Sequence, residues 1–296
     1  MCAGPVLLYV VGIAFFCAMD AVMKALVSAH PPVLATVWRY LAALLFILPF
    51  WWREGFPPVR REMLPLHALR GATIALSAFL FFWSLTVLPL AEAVTFAFVA
   101  PLMIPPLAAL FIGERMQAGS VVAGLVGFAG VLVAVGADPA DIPRDRLQGV
   151  AAVLVSAFTY ALTIVITRLR AARDGPSILS LLGALFPLLL LSPFLAWSVP
   201  AAQWLPGASD WPLVLLAGLT GAVALQFIAR AYARAEAQVL APFEYTALGW
   251  AALFGWIFFA EPVSLRTWAG AAIIAGACLW QARRNAPVPA PSTPAG

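Results

Sequence analysis

The chain has 296 residues, of which 64% are hydrophobic and only 10% charged, for a net charge of +4. A soluble domain carries about 25% charged residues, and a mean hydropathy of +0.97 points the same way, so neither a soluble globular domain nor a disordered chain fits. Three widely separated cysteines exclude a disulfide scaffold, long continuous apolar runs exclude a membrane β-barrel, and arginines placed between those runs fit lipid headgroups rather than nucleic acid.

A hydrocarbon core of about 30 Å takes about 20 helical residues. Ten apolar runs of that order are predicted, at 6–27, 33–51, 69–88, 92–112, 118–136, 149–169, 176–198, 211–232, 237–259 and 264–282. The first lacks a basic leader and carries Asp20 and Lys24 toward its far end, so it reads as a span and not as a cleaved signal peptide. Residues 285–296, rich in proline, alanine and serine, cannot bury a core and are expected to form a disordered tail. With the N-terminus in the cytoplasm, twelve of the 17 basic residues fall on inner loops and helix ends. Lys24, Arg144, Arg146 and Arg266 fall outside, and Arg39 lies within a span. This bias predicts a multi-pass protein of the cytoplasmic (inner) membrane with both termini cytoplasmic.

The two halves share short stretches. Ala91-Glu92-Ala93, between the third and fourth runs, matches Ala235-Glu236-Ala237, between the eighth and ninth, at an offset of 144. FIGE ending at Glu114 is similar to FFAE ending at Glu261 at an offset of 147. Each half then holds five spans, and an odd number puts the halves in opposite orientations. The second turn's gain of Arg230 and Arg234 agrees with that inversion. Secondary transporters are built on this plan, with substrate near the midplane between the halves.

In this order, the AEA-type turns and the closing GE or AE motifs resemble the EamA branch of the drug/metabolite transporter superfamily, over roughly residues 5–284. The resemblance implies an all-α integral membrane protein with ten transmembrane helices in two inverted five-helix repeats, residues 5–137 and 148–284. It also implies a cavity lined by the first, third, fourth, sixth, eighth and ninth spans that opens alternately to each side. Members often carry a proline upstream of the closing glutamate. Pro101 holds that place in the first half, whereas the second half has Leu248, so its kink is lost or moves to Pro242.

Charge within a membrane costs about 2.5–3.5 kcal/mol per residue on insertion scales, and such residues face cavities and partners. Asp20 and Arg39 fall at matching depth in the first two spans. Asp20 is read as a coupling carboxylate, as a partner for a cationic substrate, or as one half of an ion pair with Arg39, with Lys24 one turn on. Glu244, in the ninth span, has no basic neighbour at its depth and is a candidate proton carrier or substrate contact. Glu92 and Glu236 begin helices, where a carboxylate suits the dipole. Glu114 and Glu261 end helices and need another partner, either the start of the next helix or an arginine, with gating as the alternative role.

Ser156, Tyr160, Thr163 and Thr167 share one helical face, which is either a cavity wall or helix–helix glue. Phe82, Trp83, Phe98 and Tyr245 belong to aromatic clusters that pack, face lipid, or stack on a planar substrate. Gln226 is a candidate hydrogen-bonding contact, and Arg230, one turn on, marks a cytoplasmic end. Pro101 and Pro105 break the fourth span's hydrogen-bond ladder and offer a hinge. His30 and His67 fall in loops or at a helix edge.

No P-loop, HExxH, nucleophile elbow or acidic cluster appears, so neither ATP hydrolysis nor another enzyme activity is expected, and no cofactor or metal. The leading expectation is a secondary transporter of a small organic metabolite, working by alternating access and open to proton coupling. The alternatives are a broad amino-acid or drug exporter and a non-transporting membrane subunit. Within the resemblance, MDAVMK at 19–24 and FEYTALGW at 243–250 look like members that move vitamins or adenosyl metabolites, riboflavin and S-adenosylmethionine among them. The expected partners are that substrate and the bilayer, with a homodimer left open and nucleic acid excluded.

Overall fold

The computed structural model describes residues 3–112, 122, 125–127, 129–130, 133, 143–232, 243 and 246–284. Among them the regular structure is helical: α1 (Ala3–Ala29), α2 (Pro32–Arg53), α3 (Leu64–Ser84), α4 (Leu90–Ala97), α5 (Ala100–Ile112), α6 (Arg144–Ser198), α7 (Trp211–Tyr232), α8 (Thr246–Phe259) and α9 (Leu265–Arg284). Six stretches are long and apolar enough to cross a bilayer, and α8 and the stretch Leu90–Ile104 are shorter apolar helices. Most of the predicted fifth span, the start of the ninth and the tail lie outside the described residues.

Polarity is arranged as lipid demands. Leu110, Trp197 and Phe258 are 75%, 84% and 66% exposed, while Asp20, Lys24, Arg39, His67 and Arg70 are buried. In water such an apolar surface would aggregate; against acyl chains it is the ground state. The protein is a multi-pass membrane protein.

Two helix breaks have a sequence cause. The predicted run 92–112 is not continuous, because α4 stops at Ala97 and α5 begins at Ala100. Pro101 has no N–H to donate to Ala97, and its ring crowds that carbonyl. The chain turns through Phe98 and restarts with the Leu102 and Met103 N–H groups both donating to Val99 O. Within α6 the helix bends at Gly175 (φ 77°, ψ 162°), a conformation open to glycine, giving arms 144–174 and 176–198. These arms are the predicted sixth and seventh spans.

Helix α3 corrects a predicted boundary. It starts at Leu64, five residues ahead of the predicted run at 69, and ends at Ser84. His67 therefore sits in the first turn of a helix, at its edge, and is 1% exposed. Helix α3 packs more extensively than any other against α6, and α1 lies along α7, with α2 bridging α6 and α7. Glycines set the closest approaches. A Cβ on Gly71 would clash with Phe186 of the second α6 arm, and one on Gly218 would clash with Ala42 of α2.

Candidate functional site

Asp20 and Arg39 stand where α1, α2 and α7 meet. Asp20 is 4% exposed and Arg39 7%. The guanidinium of Arg39 is pinned on several sides. Its Nε donates to Met19 Sδ at 2.9 Å. It lies over the Tyr40 ring at 4.6 Å and the Phe82 ring at 5.4 Å. Gly221 of α7 leaves the space, since a Cβ there would stand 3.1 Å from Met19 Sδ and 3.7 Å from Arg39 Nη2.

The ion pair considered for Asp20 and Arg39 is not formed among the described residues. Asp20 Oδ1, Arg39 Nη1 and the Tyr40 hydroxyl are buried without a hydrogen-bond partner. Lys24 turns elsewhere. Its Nζ pairs with Glu261 Oε1 at 2.5 Å and donates to Leu88 O at 2.9 Å. Glu261 Oε2 accepts from Leu90 N at 3.0 Å. One lysine–glutamate pair thus ties α1, the turn before α4 and the α8–α9 connection. Ala260 at φ 52° makes the turn that delivers Glu261. The partner is a lysine and the start of α4, rather than an arginine or the start of the next helix.

Glu92 reaches beyond its own helix start and pairs with Arg146 of α6 at 2.6 Å. It lines a small cleft together with Glu261, Pro89, Gly255, Ser264 and Thr267. His30 and Asp210 approach to 3.2 Å at that same end, beyond α1 and before α7. Asp174 organises the opposite end. It receives Arg170 Nε at 2.6 Å and Nη2 at 3.1 Å, and meets His67 Nε2 at 2.9 Å. Arg70 donates to Thr167 Oγ1 and to Leu179 O across the bend. Sequence reading missed this network, whose signal was three charged residues and a histidine flanking two apolar runs.

The Ser/Thr stripe of α6 is turned toward α3. Ser156 Oγ donates to Ser77 O at 2.8 Å, while Ser77 Oγ donates to Ser156 O at 3.0 Å. Thr163 meets Thr73, hydroxyl to hydroxyl, at 2.7 Å. Tyr160 is half-buried on α6. Phe82 is brought to Arg39, whereas Trp83 is half-buried on the adjacent position of α3. Phe98 is buried at the α4–α5 break, and Pro101 and Pro105 lie within α5. Gln226 is 2% exposed, and among the described residues both its amide atoms lack a hydrogen-bond partner. Glu244 and Tyr245 lie outside the described residues. Arg230 is exposed near the end of α7, 5.9 Å from the Phe50 ring.

Among the described residues, a bundle of apolar helices with opposite charges buried in its interior and charge networks toward its ends suits a membrane transporter. The model of the EamA-like transporter family matches residues 4–136 and 147–281, and the chain belongs to that family. It is 31% identical to a riboflavin transporter of Rhizobium johnstonii, over 87% of this chain and 83% of that one. It is 29% identical to a riboflavin transporter of Brucella anthropi, covering 86% and 89%. An S-adenosylmethionine uptake transporter of Rickettsia felis is 25% identical, with 92% of each chain covered. A solved crystal structure shares the fold, with a TM-score of 0.63 over 93% of this chain and 98% of that one at 20% identity. The protein is a transporter of small metabolites.

Proposed function

We propose that the protein is a secondary transporter of the cytoplasmic membrane that moves riboflavin or S-adenosylmethionine by alternating access. Its two halves, residues 5–137 and 148–284, would be five-helix repeats of opposite orientation, ten spans in all, with both termini cytoplasmic. Asp20 and Arg39 carry this reading. Two buried opposite charges with unspent hydrogen-bonding atoms are costly in a membrane interior unless solute or water reaches them during the working cycle. The two matches of the family model support the division into halves, and the names of the relatives support the substrate pair.

Phe82 beside Arg39 supplies an aromatic face, and the turn at Phe98 ahead of Pro101 supplies a hinge. Glu244 remains the candidate proton carrier, and Tyr245, Gln226, Tyr160, Thr163 and Trp83 remain candidate contacts. No enzymatic step is part of the reading. The test is uptake of radiolabelled riboflavin and S-adenosylmethionine by proteoliposomes, with and without an imposed proton gradient. Saturable uptake of either solute is expected. Uptake of neither, with unrelated amino acids or cationic dyes moved instead, would favour the broad-exporter reading.

A further inference from the structure

The connection between α2 and α3 is built rather than loose. Glu54 N donates to Phe50 O at 3.2 Å, Gly55 N to Trp52 O at 2.9 Å and Phe56 N to Trp51 O at 3.2 Å. Gly55 lies at φ 79° and Phe56 at φ 54°, a conformation that a phenylalanine keeps only when its surroundings hold it there. The Trp51 ring holds it, edge to face at 4.8 Å, and Trp51 Nε1 donates to Pro57 O at 3.2 Å. At the far end a single 3-10 turn, Arg61–Met63, seats Met63 against Ile178 and Leu182 of the second α6 arm.

This frame presents rings and positive charge together. Trp52 is 66% and Phe56 52% exposed. Arg53, Arg60 and Arg61 are exposed beside them. Arg230, near the end of α7, comes to the same place over the Phe50 ring at 5.9 Å. Among the described residues none of these four arginines is in an ion pair, and neither are Glu54 and Glu62, the acidic residues of the same stretch. Four positive charges against two negative leave the patch cationic.

We propose that this connection is a binding site for the headgroup of an anionic phospholipid. The proposal does not depend on what the protein transports and needs only that it spans a bilayer. Helix α2 closes at Arg53 and α3 opens at Leu64, so the connection lies at the depth of the headgroups. Guanidinium groups match phosphodiester oxygens in bidentate fashion. Tryptophan and phenylalanine rings favour the boundary between headgroups and acyl chains. A soluble anion would use the arginines and leave Trp52 and Phe56 in water, whereas a lipid uses both. A zwitterionic lipid brings its own cation and leaves the excess positive charge uncompensated. In the orientation proposed above, this site faces the cytoplasmic leaflet, whose anionic lipids attract basic segments.

Native mass spectrometry of the full chain with phosphatidylglycerol or phosphatidylcholine of the same acyl chains reads lipid occupancy and oligomeric state in one spectrum. The unaltered protein should hold phosphatidylglycerol at least about 10-fold more tightly, the scale of two net charges at a membrane surface. Arg60→Gln with Arg61→Gln should remove that preference. Phe56→Gly, which suits the backbone there, should weaken both lipids. Arg144→Gln with Arg266→Gln, at exposed arginines of other helix starts, should leave the preference intact. All five side chains are exposed, so the variants leave the packed core untouched. Equal binding of the two lipids by the unaltered protein, or an equal loss in both double variants, would overturn the proposal. Displacement of the lipid by excess inorganic phosphate would overturn it in favour of a free anion. A dimer that holds no lipid and separates when Arg60 and Arg61 are replaced would overturn it in favour of a second copy of the chain.

Discussion

Lys24, Asp20 and Arg39 would each read alike in a hydropathy profile, as a charge in an apolar run, yet their fates differ. Lys24 is satisfied three ways, by Glu261, by Leu88 O and by the Phe259 ring at 5.4 Å, whereas Asp20 and Arg39 hold back atoms. Removing Lys24 (Lys24→Met) or neutralising its partner (Glu261→Gln) should each lower stability by about 1.5–3 kcal/mol, the worth of a hydrogen bond to a charged group. Exchanging them (Lys24→Glu with Glu261→Lys) should recover only part, because Leu88 O then lacks a donor and Leu90 N an acceptor. Thermal unfolding of the wild type, the two single variants and the combined Lys24→Met, Glu261→Gln protein in one detergent gives the coupling; strictly additive losses would mean that the pair does not act as a unit. At this scale the sequence made the odd residues visible but not their partners. Lys24 and Glu261 are far apart along the chain, and only packing brings them together. The Asp20–Arg39 ion pair, suggested by matching depth, fails because side-chain direction is not encoded in depth. The burial of His67 at the edge of α3 was not legible, because Asp174 compensates it and that compensation is invisible to a window of hydropathy.

Helices meet here through small residues and paired hydroxyls, which is what association within lipid favours, since apolar area alone gives little there. The α3–α6 contact carries both, with Ser77 against Ser156, Thr73 against Thr163, and Gly71 beneath Phe186. Gly71→Ala should therefore cost about 1–3 kcal/mol by forcing α3 off its partner. Gly276→Ala in α9, where an added Cβ meets nothing within 4 Å, should be neutral or slightly stabilising, as helix propensity predicts. Apparent melting temperatures of the two variants check this, and equal losses would contradict the packing account. The stripe on α6 was legible from its spacing, though not which helix it faces, because its complement on α3, Thr73 and Ser77, sits inside an apolar run and only packing brings the two together. The break before Pro101 was legible for a backbone reason that needs no tertiary context. The break at Gly175 fell between two predicted spans, where a long loop and a one-residue turn between two helices read alike.

At the scale of the molecule, the ion pairs and histidine–aspartate contacts sort by end. Lys24–Glu261, Glu92–Arg146 and His30–Asp210 join helix ends that the order of spans puts on one side, and Asp174 with Arg170 and His67 gathers ends on the other. The order of the spans was legible because a bilayer imposes both length and apolarity on each crossing. The closure of each end was not, because it depends on a few side chains among many. If the Lys24–Glu261 contact must open for solute to pass, locking it should stop transport. With the native cysteines replaced, Lys24→Cys and Glu261→Cys joined by a short bifunctional thiol reagent should abolish flux, and a cleavable linker should restore it on reduction. Full activity in the linked protein would show that this end stays closed throughout the cycle. On the proposed function the bundle exposes one site to each side of the bilayer in turn, and counterflow reads that exchange. Proteoliposomes loaded with unlabelled S-adenosylmethionine or riboflavin and diluted into a trace of the labelled compound should accumulate label transiently above equilibrium for at least one of the two. Label that enters each preparation no faster than it enters protein-free vesicles would contradict the account.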